Sequence, residues 1–197
     1  AFVYGDVPHW SPGSATGSSA HTISLHSLSK AYGMAGWRVG YMAAPEQLTA
    51  ALAKVQDTVL ICPPVPIQRA AVAALQAGPA WVAPRVGALA DRRRQLLAAV
   101  AEHQAKGLPV RLLAEPDGAF YALLEITAGR GQLDADTLMR RLVLEHRVAA
   151  VSGASFGLHR ASHGLVLRLS YGLLDGADLA EALRRLFFGI AEILHGI

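Results

Sequence analysis

Polar and apolar residues alternate through "HTISLHS", His21–Ser27, which puts Ile23 and Leu25 on one face and predicts a strand. "RVGYMAA", Arg38–Ala44, predicts a second short strand. In "PEQLTAALAKVQDTVL", Pro45–Leu60, apolar positions then recur at helical spacing behind a proline suited to a helix start. "IQRAAVAALQAG" predicts a second helix, closed by Gly78. "PAWVAPRVGALADRRRQLLAAVAEHQAKG" continues as a long helix of about seven turns. Pro84 is expected either to kink it or to mark its true start, and Gly107 ends it.

Beyond Gly107 the pattern changes. "VRLLAEPDGAFYALLEI", Val110–Ile126, has two extended runs joined by Pro-Asp-Gly, a hairpin-type signal. "LDADTLMRRLVLEHR" predicts an amphipathic helix with a carboxylate-rich start. "VAAVSG" and "LVLRLSYG" predict strands, and "DGADLAEALRRLFFGIAEILHG" a closing helix. The order strand, strand, helix, strand, strand, helix describes a compact α+β unit of about 90 residues behind a long helix. No internal repeat is visible, and low complexity is confined to the Gly/Ser loop "SPGSATGSSA". Gly129 and Gly131 in "AGRGQL" fit a loop and no phosphate-loop motif.

Composition narrows the classes. The 197 residues are 52% hydrophobic and only 17% charged, below the roughly 25% of ordinary domains. Part of the surface is therefore expected to be covered, by a partner subunit or by a missing piece of the same chain. Net charge is +3 and the basic residues are scattered. The densest cluster, "DRRRQ" at Asp91–Gln95, fits a solvated helix face better than a nucleic-acid site. A single cysteine, Cys62, excludes an intrachain disulfide and suits a reducing, cytoplasmic setting. Its apolar neighbours predict a buried, inert thiol. No apolar run reaches the ~18 residues that span a membrane, and the start resembles no signal peptide. His21, His26, His159 and His163 have no metal-like spacing with carboxylates or Cys62, so no metal is expected.

Candidate chemistry centres on "SLHSLSKAYGMAGWRVGY", Ser24–Tyr41. Lys30 lies just past a strand end in a turn punctuated by Gly33 and Gly36, where a scaffold fixes a group and glycine lets a ligand approach. A desolvated lysine amine is a nucleophile for aldehydes. Ser27 precedes it by three, and Arg38 closes the loop at the start of the returning strand. A hydroxyl and a guanidinium make a phosphate receptor. An aldehyde-reactive amine beside a phosphate receptor suits pyridoxal 5′-phosphate, PLP.

"SLSKAYGMAGWRVGY" resembles the lysine signature of class I/II aminotransferases, PLP-dependent enzymes of fold type I. "PDGAFYALLEI", "VSGASFG" (with Ser152 where proline is usual) and "LVLRLSYG" resemble further segments of the same family, so the likeness runs through essentially the whole chain. The resemblance implies that Lys30 forms the aldimine with PLP and then shuttles the substrate Cα proton. It also implies that Ser27 and Arg38 bind the cofactor phosphate, with Ser29 as a possible aid. Arg168, buried among Leu165, Val166, Leu167 and Leu169, would hold the substrate α-carboxylate, since a buried guanidinium needs an anion. Tyr32, Trp37, Phe120 and Tyr121 fit core packing better than pocket lining.

The implied architecture is α/β, the C-terminal part of fold type I. Residues 1–78 would belong to the PLP-binding large domain, 79–107 to a connecting helix and 108–197 to the small domain. The family's aspartate for the pyridinium nitrogen and the tyrosine three residues after it have no counterpart before Lys30. The chain is therefore expected to be a fragment with little activity of its own. The implied reaction transfers an amino group between an amino acid and a 2-oxo acid in a homodimer, without nucleic acid or membrane. Alternatives are another fold type I enzyme (a β-lyase, synthase or decarboxylase) or the aminotransferase-like effector domain of a transcription regulator.

Overall fold

The computed structural model describes residues 2–6, 8–128, 133–158 and 164–196, which leaves the Gly129–Gly131 loop, His159 and His163 outside the described residues. The chain divides into two compact units, Ala1–Val86 and Gly87–Ile197.

In the first unit, β1 (Ser24–Ser27) and β2 (Gly40–Ala43) form an antiparallel pair in which Ser24 faces Ala43 and Ser27 faces Gly40. Helix α1 (Thr49–Val59) follows a short 3-10 turn at Glu46–Leu48. Helix α2 (Val65–Ala105) is interrupted at Gly78, whose φ of 64° and ψ of −161° are not helical. The break thus falls at the glycine expected to close the first of two helices. Pro84 lies inside the continuing helix and does not start it.

The apolar positions of the first predicted strand, Ile23 just before β1 and Leu25 within it, are not buried. Ile23 is 43% exposed and Leu25 76%. Cys62, expected in an apolar interior, is likewise exposed. It follows Ile61, itself exposed and at positive φ, in the connection between α1 and α2. Apolar neighbours in sequence do not bury a thiol when they are themselves at the surface.

The second unit carries a four-stranded antiparallel sheet in the order β3-β4-β6-β5, with β3 Val110–Leu112, β4 Tyr121–Ile126, β5 Val151–Ser152 and β6 Leu165–Ser170. Pairing sets Ala122 against Leu169, Leu124 against Leu167 and Ile126 against Leu165. These residues are all buried, so one face of the sheet is a continuous apolar layer. Helices α3 (Ala135–His146) and α4 (Gly176–His195) bury Leu138 and Leu142, and Leu179, Leu183, Leu186, Phe187, Ile190 and Ile193, at helical spacing. Asp134 caps α3 by accepting the Thr137 N–H at 2.6 Å. The same hydrogen bond holds the Asp134 carboxyl below its ordinary pKa. Gly189 of α4 lies where a Cβ would come within 2.7 Å of the His146 ring and 2.8 Å of Leu142, so α3 and α4 meet closely there.

The arginine cluster is not simply a solvated face. Arg92 donates to the Gly172 carbonyl at 2.8 Å, Arg93 to the Pro116 carbonyl and the Glu115 carboxylate, both at 2.6 Å, and Gln95 to the Gly176 carbonyl at 2.9 Å. Only Arg94 of the three stands in solvent, paired with Asp91. Among the described residues, no helix is long and apolar enough to cross a membrane.

Candidate active site

The β1–β2 ladder sets the geometry of the lysine loop. Ser27 faces Gly40, so the chain leaves and returns at the same level and Arg38 sits two residues before the strand partner of Ser27. Leu28, Met34 and Val39 are buried together with Ala71, against Ile67, Ala70 and Ala74 of α2 and with Tyr32 packed alongside. These apolar anchors pin the start, middle and end of the loop onto one stripe of helix. Two N–H groups, of Tyr32 and Met34, converge on the Leu28 carbonyl at 3.3 Å, and Gly33 turns the chain at a φ of 67°. With Leu28 inward, Lys30 and Ser27 are exposed.

Arg38 adopts the left-handed conformation, φ 52° and ψ 45°, and donates through Nη1 to the Ala35 carbonyl at 2.7 Å. The Ser27 Oγ accepts the Ser29 N–H at 3.2 Å, which leaves its O–H able to donate. Ser29 therefore enters through its backbone. Gly40 is required by contact: a Cβ there would stand 2.6 Å from the His26 carbonyl oxygen. Gly33 and Gly36 border open space. One hairpin thus presents an amine, a hydroxyl and a guanidinium, a donor set that fits an aldehyde-bearing phosphate ester. Trp37 is 48% exposed and takes no part in the core expected of it.

Arg168 lies on β6, opposite Leu123 of β4 and Val151 of β5. It is half-buried, and its Nε is buried with no hydrogen-bond partner among the described residues. The guanidinium carbon lies 4.5 Å from the centroid of the Tyr121 ring and 4.8 Å from that of Phe156. Glu125, the buried carboxylate on the same sheet face, accepts from Arg111 Nε and from the Gly164 N–H, both at 2.6 Å. No described carboxylate forms a salt bridge with Arg168, and the fork of its guanidinium beyond the buried Nε is of the kind an external carboxylate engages. Tyr121, expected to be core, is instead half-buried at this guanidinium. The position of Phe156 beside this guanidinium was not legible in the sequence, although its motif was.

Comparison with known proteins gives this arrangement a family. Residues 1–186 match the model of aminotransferase class I and II, and the chain belongs to that family. It is 36% identical to an arginine–pyruvate transaminase of Pseudomonas aeruginosa over 96% of its length and 45% of that protein's. To an aspartate aminotransferase of Pyrococcus abyssi it is also 36% identical, over 94% of its length and 45% of that protein's. Among solved structures, an aromatic aminotransferase from Pyrococcus horikoshii superposes with a TM-score of 0.82 at 32% identity, covering 98% of this chain and 48% of the other. The α/β fold is therefore that of these PLP-dependent aminotransferases, fold type I. The chain spans less than half the length of the relatives it matches.

Proposed function

We propose that this chain is part of an aminotransferase that moves an amino group between an amino acid and a 2-oxo acid with PLP as cofactor. The observation that carries the reading is the hairpin on which Ser27, Lys30 and Arg38 are held by Leu28, Met34 and Val39 packed on α2. PLP, when bound, supplies an electron-withdrawing ring that acidifies the Cα–H of the amino acid.

The residues have separate tasks. Lys30 Nζ would hold the cofactor at its aldehyde carbon, with loss of water, and, once an incoming amine has replaced it there, the freed Nζ would take the proton from the substrate Cα and return it. Arg38 and the Ser27 hydroxyl bind the phosphate. The hydrogen bond to Ala35 fixes the guanidinium before the ligand arrives, which lowers the ordering cost of binding. Arg168, half-buried on β6, receives the α-carboxylate through the accessible part of its guanidinium.

Residues 1–78 are read as part of the cofactor domain, 79–107 as the connecting helix and 108–197 as the small domain. A homodimer in the cytoplasm fits the exposed apolar residues of the first unit and the single cysteine. The aminotransferase names of the relatives support amino transfer over the lyase, decarboxylase and regulator alternatives. Borohydride reduction of the full-length protein with PLP, followed by peptide mapping, tests the central assignment. A reduced adduct on Lys30 is expected; a label on another lysine, or none, overturns it.

A further inference from the structure

We infer that Phe156 and Tyr121 form an aromatic clamp that holds the Arg168 guanidinium in place and desolvated without neutralising it. The inference rests on the reading of Arg168 as a carboxylate receptor and says how that receptor is kept ready. A half-buried guanidinium needs stabilisation in the absence of ligand. A protein carboxylate would supply it, and an incoming carboxylate would then have to displace it. Aromatic rings stabilise the cation through their quadrupoles and leave its full charge available.

The two rings reach Arg168 from opposite flanks of β6. Tyr121 comes from β4, on one side, and lies on the same face of the sheet as Arg168. Phe156 comes from the 3-10 turn Gly153–Phe156 that follows β5, on the other side. That turn is built to deliver the ring. Ser152 caps it by accepting the Ala154 N–H at 3.3 Å, and Gly157 closes it at a φ of 76°. Gly153 allows it to lie flush on β6, since a Cβ there would stand 2.7 Å from the Val166 Cβ and 2.8 Å from the Val166 carbonyl oxygen.

The nearby carboxylate is kept out of play. Glu125 lies on the same face of β4, opposite Val166, two residues along from the partner of Arg168. Arg111 and the Gly164 N–H each engage one of its oxygens. The Arg168 Nε meanwhile stays without a partner among the described residues, and the guanidinium carbon lies 4.5 and 4.8 Å from the centroids of two neutral rings. Phe156 and Tyr121 are positioning residues, acting through Arg168.

The test follows the Arg168 Nε–H resonance in the full-length protein, assigned by its loss in Arg168→Lys, during titration with acetate as the carboxylate probe. In the parent protein acetate is expected to shift this resonance saturably. Phe156→Leu should weaken acetate binding by about threefold to tenfold and speed exchange of the Nε proton with water. Phe156→Trp should restore both, which a side chain that merely fills space would not do. Phe156 is 47% exposed, so the leucine variant does not empty the core. Tyr121→Leu provides a second, independent weakening. If Phe156→Leu and Tyr121→Leu bind acetate as the parent does, the clamp is refuted while the receptor stands. If acetate does not move the resonance in the parent protein, both the receptor and the clamp fall.

Discussion

Replacing Gly40 by alanine tests whether the hairpin geometry, and not merely its residues, makes the proposed cofactor site. The new Cβ would lie 2.6 Å from the His26 carbonyl oxygen, 0.8 Å short of the 3.4 Å at which ordinary contact begins. The obstacle is backbone, so no rotamer change removes it. Relief requires β2 to move away from β1, and that carries Arg38 away from Ser27. A displacement near 0.8 Å takes a hydrogen bond of about 2.9 Å beyond useful length. One charge-assisted hydrogen bond to the phosphate, about 1.5–3 kcal/mol, is then lost. That predicts a rise of roughly 10- to 150-fold in the PLP dissociation constant, read by absorbance titration of the full-length apoprotein. Gly36→Ala is the control in the same loop: nothing lies within 4 Å of its Cβ, and affinity should not change. Unchanged affinity in Gly40→Ala, or equal damage from Gly36→Ala, would refute the reasoning.

Acid titration supplies another prediction. Hydrogen bonds from Arg184 and then Arg185 lower the Glu181 pKa from 4.5 to about 2. Because the folded value is the lower one, this contribution is present above about pH 4.5 and is lost as pH falls toward 2. Glu181→Gln should therefore flatten the fall in melting temperature over that window, and an identical acid limb in both proteins would count against the pairing. At the α3–α4 crossing, Gly189→Ala places a Cβ within 2.8 Å of both His146 and Leu142. Overpacking of this kind costs about 1–3 kcal/mol, measurable as a lower denaturation midpoint, and a neutral result would mean that the two helices separate freely.

The elements of the second unit were legible because each carries a complete signal. The periodic leucines of α4 follow an Asp175 cap that accepts the Ala177 and Asp178 N–H groups. Four strands alternate with two such helices, and the sheet follows from burying one face. The lysine hairpin was legible through a motif that records backbone constraints, with Gly33 at positive φ and Gly40 in contact with His26. Other features escaped because they are relations between distant segments. Nothing in "LICPP" says that Ile61 turns outward and leaves Cys62 at the surface. Nothing local to Arg168 says that a ring 12 residues earlier in the chain, Phe156, lies 4.8 Å away. Arg92 and Arg93 look solvated until their carbonyl partners, 80 and 23 residues away, are known.

Those arginines bear on which insertions and deletions the chain tolerates. Surface connections usually accept changes in length because their backbone groups bond to water. Here Arg92, Arg93 and Gln95 grip single carbonyls at Gly172, Pro116 and Gly176. Adding or removing one residue on the path to any of these carbonyls would move it off its donor. The connections at 113–120, between β3 and β4, and at 171–175, between β6 and α4, are therefore fixed in length as firmly as the elements they join. Variation in length belongs elsewhere, in stretches such as 11–17, whose described backbone bonds run to near neighbours.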